Sequence, residues 1–134
     1  MRINLLANTH RTDAVEAATG AAEWLRERGY TVGADEDTSR RIGVNHVIDD
    51  EIGHADLVVC FGGDGTLIRA AHMCSARGTP ILGVYYGRFG FVTQCTQGEL
   101  GSCLSSFFDG RAEFEERMMA QAELLRAGNV VATV

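Results

Sequence analysis

The chemistry in this sequence is concentrated in one short string. Gly62, Gly63, Asp64, Gly65 and Thr66 follow an apolar run at 57–61 and precede a helical pattern. Glycine lacks a Cβ, so the backbone turns sharply there and admits a ligand at close range. Thr66 is placed to cap the following helix, whose free N–H groups favour phosphate. Asp64 is then a lone carboxylate in a phosphate-friendly turn, where a negative charge needs a reason. Two reasons serve: holding Mg²⁺, or orienting and deprotonating an attacking hydroxyl. A carboxylate of ordinary pKa, ~3.9, is a weak base for an alcohol. Phosphoryl transfer tolerates that, because its loose transition state mainly requires the hydroxyl to be positioned. The spacing is neither a dinucleotide G-x-G-x-x-G nor a P-loop. A lone Asp-Gly would read as a plain turn; the full string between strand and helix outweighs that reading.

Other residues compete for a role. Arg69 lies five positions after Asp64, early in the helix, where a cation opposes the helix dipole. That cost fits pairing with a ligand phosphate, and an exposed helix arginine fits the position equally. A second glycine-rich turn spans 83–90, and seven of the sixteen glycines fall between 62 and 90. Arg88 with Tyr85, Tyr86, Phe89 and Phe91 would line an adenine or nicotinamide slot, or else pack over the sheet end. His72, mid-helix, reads as a core or surface histidine. The acidic residues Asp35, Glu36, Asp37, Asp49, Asp50, Glu51 and Asp56 read as a solvated loop rather than a metal site. Cys60, Cys74, Cys95 and Cys103 form no C-x-x-C pair, so zinc is not expected. They read as reduced, semi-buried fillers in a cytoplasmic chain.

These groups need a scaffold, and the pattern predicts one. Residues 2–8 read as a buried strand. Residues 13–28 read as a helix, with Asp13 as N-cap, Glu16 completing a capping box and Gly29 as the C-terminal stop. Val15, Ala18, Ala22 and Leu25 would face a sheet. A short strand follows at 30–32, then a polar loop with a weak segment near 44–52. Residues 57–61 are the clearest strand, 67–77 a helix, and 80–84 the next strand. A helix over 97–108 would turn Leu100, Leu104, Phe107 and Phe108 inward. Alternating strands and helices predict an α/β, Rossmann-like parallel sheet with helices on both faces. After Gly110 the pattern changes to two strands, 113–126 and 130–134, around a turn at Ala127, Gly128 and Asn129. We therefore expect an α/β nucleotide-binding domain at 1–110 and, at 111–134, the first strands of a truncated β-rich second domain.

Composition removes whole classes of function. The chain has 134 residues and a net charge of −6, and all twelve basic residues are arginine. Without lysine there is no P-loop, no protein-kinase ATP lysine and no Schiff base. The acidic balance disfavours a nucleic-acid partner. No apolar run reaches the ~18 residues of a membrane span, and Asn8 and His10 interrupt the N-terminus too early for a signal peptide.

The string at 62–66 resembles the signature of the NAD kinase family. Pro80-Ile-Leu-Gly-Val84, then Gly87-Arg-Phe-Gly-Phe91-Val-Thr93, resembles that family's second turn, with Tyr85 at its usual Asn. Glu115-Glu-Arg117 resembles the segment leading into its second domain. The resemblance implies transfer of the γ-phosphoryl of ATP, or of polyphosphate in some members, to the 2′-hydroxyl of the adenosine ribose of NAD⁺. Asp64 would be the catalytic residue. Asp64, Gly65 and Arg69 would contact NAD, with Phe91 in the second turn. Gly62, Gly63 and Thr66 would help to hold triphosphate, with Mg²⁺ or another divalent cation arriving on the nucleotide. A homo-oligomer is the family's habit. The family's Asn-Asp or Asn-Glu pair is expected just past Val134, so a fragment with little or no turnover is expected. Lipid kinases acting on diacylglycerol or sphingosine share the string and form the rival reading. A non-catalytic nucleotide-binding fragment is the second rival.

Overall fold

The computed structural model describes residues 1–85 and 95–134. The chain runs β1 (Arg2–Ala7), α1 (Thr12–Glu27), β2 (Thr31–Ala34), α2 (Glu36–Ile42), β3 (Asn45–His46) and β4 (Leu57–Gly62). It continues with α3 (Asp64–Cys74), β5 (Ile81–Tyr85), β6 (Cys95–Thr96) and α4 (Leu100–Phe108), and ends in β7 (Glu123–Arg126) and β8 (Asn129–Thr133). The first six strands form one parallel sheet in the order β3-β2-β1-β4-β5-β6. This is the order of a doubly wound, Rossmann-like sheet, as the sequence pattern predicts.

The period of two along the central strands decides which helix each residue meets. Ile3, Leu5 and Ala7 of β1, with Leu57, Val59 and Phe61 of β4, share a core with the small residues of α1 and with Leu104 of α4. Leu6, Val58 and Cys60 point the other way, onto Ala70 and Cys74 of α3. Both faces are therefore covered, which is why the β4 run is apolar without interruption. The inner face of α1 is mostly alanine, so that helix lies close to the strands: Ala14, Ala17, Ala18, Ala21, Ala22 and Leu25 are buried, while Val15 is half-buried. On α4 only Leu104 is fully buried; Leu100, Phe107 and Phe108 pack at the core's margin, Phe108 stacking on Tyr30 at 4.2 Å.

Three local expectations are corrected. The N-cap of α1 is Arg11, without a side-chain cap. Asp13 sits inside the first turn, where its Oδ1 accepts from the Ala14 N–H (2.8 Å) and from the Arg11 guanidinium. The hydrogen bond from Arg11 is the main reason its carboxyl stays below the ordinary range. The polar stretch at 33–56 holds α2, whose buried residues are Thr38 and Ser39, so no apolar period marks it. Its signal is instead electrostatic: Glu36 and Asp37 in the first turn, Arg40 and Arg41 in the last. Residues 113–122 form no strand. The hairpin itself occurs as a separate antiparallel pair, β7 and β8. Ala127 and Gly128 both have positive φ (51° and 79°), the backbone a two-residue hairpin turn requires.

Candidate functional site

Strand order reverses between β1 and β4, which pair with Ala7 opposite Phe61. In open α/β sheets, ligands bind outside the carboxyl ends of strands at such a switch point. The chain leaves β1 through Asn8 and leaves β4 through Gly62, and the Asn8 N–H donates to the Phe61 carbonyl at 2.8 Å. The Gly-Gly-Asp-Gly-Thr string therefore lies at the switch point itself.

Helix α3 begins at Asp64, with Gly63 as N-cap. This corrects two expectations. Thr66 is not the cap; it sits within the first turn, and among the described residues no side-chain cap is present. Arg69 belongs to the second turn, where the dipole penalty has largely faded. Asp64, half-buried in the first turn, carries the charge that a helix N-terminus favours.

The glycines differ in what holds them. A Cβ on Gly62 would stand 2.7 Å from Thr66 Oγ1 and 3.1 Å from Asn8 Cβ, so the turn's own packing requires glycine there. A Cβ on Gly63 or Gly65 would meet nothing within 4 Å. Gly65 lies inside the helix, where glycine costs about 1 kcal/mol against alanine. No contact among the described residues explains that cost, whereas a ligand seated on the exposed turn would.

Arg69 is exposed on α3, but it is not an uncommitted cation. Its Nη2 donates to Oδ2 of Asp35, the residue immediately after β2. Asp35 is 2% exposed, so the expectation of a solvated acidic loop fails here. Burial of the guanidinium works against its charge. The hydrogen bond to Asp35 and the fields of Asp35, Asp49 and Asp37 outweigh it, holding Arg69 above its ordinary value. Asp35 Oδ1 has no hydrogen-bond partner among the described residues. Sequence reasoning placed Asp35 in a solvated acidic loop and gave Asn8 no part in the site. Each is the first polar residue after a strand that ends at the same edge of the sheet, a signal that needs the strand order to be read.

Gly62, Gly63, Asp64, Gly65, Thr66 and Arg69 are thus gathered on one turn and helix; Phe91 lies outside the described residues. So do Tyr86, Arg88 and Phe89. Their segment leaves β5, whose Tyr85 pairs with Gly62, so the strands feeding the two glycine turns are neighbours, as expected. His72 is exposed on α3. Cys60, Cys74 and Cys95 are buried free thiols and Cys103 is half-buried. Cys95 and Cys103 touch, sulfur to sulfur, at 2.7 Å. Among the described residues, no three His, Cys, Asp or Glu side chains converge as a metal-binding group. Nor is any described helix long and apolar enough to cross a membrane.

A doubly wound parallel sheet with a glycine-rich strand-to-helix turn at its switch point places the chain in the Rossmann-like α/β class, whose members often bind nucleotides there. The family model for the ATP-NAD kinase N-terminal domain matches residues 3–112, and the chain belongs to this family. It is 38% identical over 135 residues to an NAD kinase of Citrifermentans bemidjiense, covering 97% of this chain and 47% of that one. It is 37% identical over 130 residues to an NAD kinase of Syntrophotalea carbinolica, covering 95% and 46%. The chain thus spans about half the length of the curated relatives it matches. Among solved structures, yeast NADH kinase complexed with NADH aligns with a TM-score of 0.75 at 18% identity, covering 84% of this chain and 39% of that one. An NAD kinase from Archaeoglobus fulgidus in complex with ATP aligns at 0.61 and 22% identity, covering 82% and 38%. These two likenesses show the fold.

Proposed function

We propose that this chain is the nucleotide-binding part of an NAD kinase that moves the γ-phosphoryl of ATP to the 2′-hydroxyl of the adenosine ribose of NAD⁺, giving NADP⁺. The observation that carries the proposal is the placement of Asp64 at the β1/β4 switch point, in the first turn of α3. Gly63 and Gly65 leave the backbone beside it open to a ligand. Asp64 orients the ribose hydroxyl and takes its proton as the O–P bond forms, while the bond to ADP breaks. The free N–H groups of α3 face phosphate oxygens. Mg²⁺ would arrive bound to the ATP phosphates, where it neutralises charge.

The domain at 1–110 and a β-rich unit beginning at 111 belong to the same reading. Supporting it, the family match ends at 112 and β7–β8 form a sheet of their own. Leu124, Leu125, Val130 and Val131 are more than half exposed on that hairpin, which supports burial against further chain or a second copy in a homo-oligomer. The four free thiols support a cytoplasmic location.

The test offers the full-length protein labelled ATP with NAD⁺, diacylglycerol or a sphingoid base. NADP⁺ formation that Asp64→Asn abolishes supports the proposal. Labelled lipid alone would assign a lipid kinase. NAD⁺ and ATP binding by calorimetry without turnover would leave a binding module.

A further inference from the structure

The proposed reaction uses Asp64 and the glycine turn but leaves one buried charge without a task. Asp35 follows β2, two strands away from β4, and its carboxylate is sealed from solvent. Among the described residues its side-chain partner is Arg69, reached across 34 residues of sequence, and its second oxygen has none. An ionised carboxylate in that position depends on its guanidinium partner. A ligand that drew Arg69 away would strand that charge, so Arg69 is held in place whether or not a ligand is present. Yet its side chain is 43% exposed, leaving N–H donors for something outside. It stands one turn beyond Asp64 on the same helix.

Resting on the reading above, we propose that Asp35 is a positioning residue. It locks the Arg69 guanidinium at the rim of the β1/β4 crevice, so that Arg69 meets the dinucleotide without first being ordered. The pair also ties α3 to the end of β2 across β1. Because Asp35 cancels much of Arg69's charge, Arg69 would read the dinucleotide by hydrogen-bond geometry more than by long-range attraction.

The test measures steady-state kinetics and NAD⁺ binding by calorimetry on the full-length protein. Asp35→Asn keeps the shape, removes the buried charge and leaves a half-exposed arginine that water can solvate. KM for NAD⁺ should rise about tenfold, the scale of one charged hydrogen bond, with kcat falling less than about threefold. Asp35→Glu should recover part of the loss. Arg69→Gln should raise KM similarly, and the double variant should add nothing further. An unchanged KM in D35N, even with a lowered melting temperature, would overturn the proposal and leave the pair a structural tie. If D35N does not fold, R69Q is compared with D35N/R69Q: equal KM values support coupling, and a further rise rejects it. Wild-type protein that binds no NAD⁺ rejects the kinase reading and this inference together. Wild-type protein that binds while D35N binds equally rejects the inference alone.

Discussion

Replacing Arg69 should destabilise the fold far more than an early-helix surface arginine would suggest. In R69Q the Asp35 carboxylate stays buried after β2, and the partner of its Oδ2 is gone. Removing one member of a buried ion pair costs about 3–5 kcal/mol when the survivor is stranded in a dry interior. Arg69 is itself 43% exposed, so water can follow the vacated guanidinium and soften the cost. We expect about 2–3 kcal/mol. For a chain of this size, that lowers Tm by roughly 6–12 °C. Asp35→Asn should cost less than about 1 kcal/mol, because it removes the charge and strands nothing. The double variant D35N/R69Q should recover most of the R69Q loss, giving a coupling of about 1–2 kcal/mol. Thermal melts by circular dichroism and urea titrations of the four proteins measure all of these terms. An R69Q protein within about 0.5 kcal/mol of wild type, the range of an ordinary surface change, would refute the reasoning. So would a double variant no more stable than R69Q.

Four further outcomes follow from the structure. Asp64→Asn should lower kcat by on the order of 10²–10⁴ with little change in NAD⁺ affinity, and a kcat near wild type would reject its role. Gly62→Ala should destabilise by about 1–3 kcal/mol through its contacts with Thr66 and Asn8. Gly65→Ala should stabilise by up to about 1 kcal/mol while lowering kinase activity; stabilisation with full activity would deny that a ligand needs that glycine. Burial pushes the Cys74 thiol up to about 11 and raises Cys60 and Cys95 as well. In the unfolded chain these thiols ionise near pH 8.5, so stability is full below that pH and falls as pH rises from about 8.5 toward 11. A Tm that holds flat from pH 8 to 10.5 would contradict this.

Much of the fold was legible because apolar period and glycine punctuation are local signals. The run before Gly62 marked a strand buried on both sides, and Gly29 marked the end of α1 with its positive φ. The Gly-Gly-Asp-Gly-Thr string announced its own site, since strand, turn and helix are contiguous in sequence. The boundary of α3 was misplaced by three residues, because glycine and aspartate are poor helix formers whose place here is decided by the N-terminal turn. Helix α2 went unseen because it buries Thr38 and Ser39 rather than apolar residues. Thr38 Oγ1 accepts the Ala7 N–H at 3.0 Å, at the end of β1 where the ladder to β2 has already stopped. That hydroxyl is a structural partner no hydropathy pattern would reveal.

The sequence by itself determined the class of fold, the glycine-rich turn and the chemistry available there. Each depends on residues within a few positions of one another. Tertiary structure alone decided what Arg69 and Asp35 are. Taken singly, one looked like an exposed helix cation and the other like part of a solvated acidic loop. Only the strand order, which sets β2 beside β1 and β1 beside β4, brings the carboxylate and the guanidinium together. Burial of Asp35 then makes it depend on Arg69, because an ion withdrawn from water must find its counter-charge in the protein.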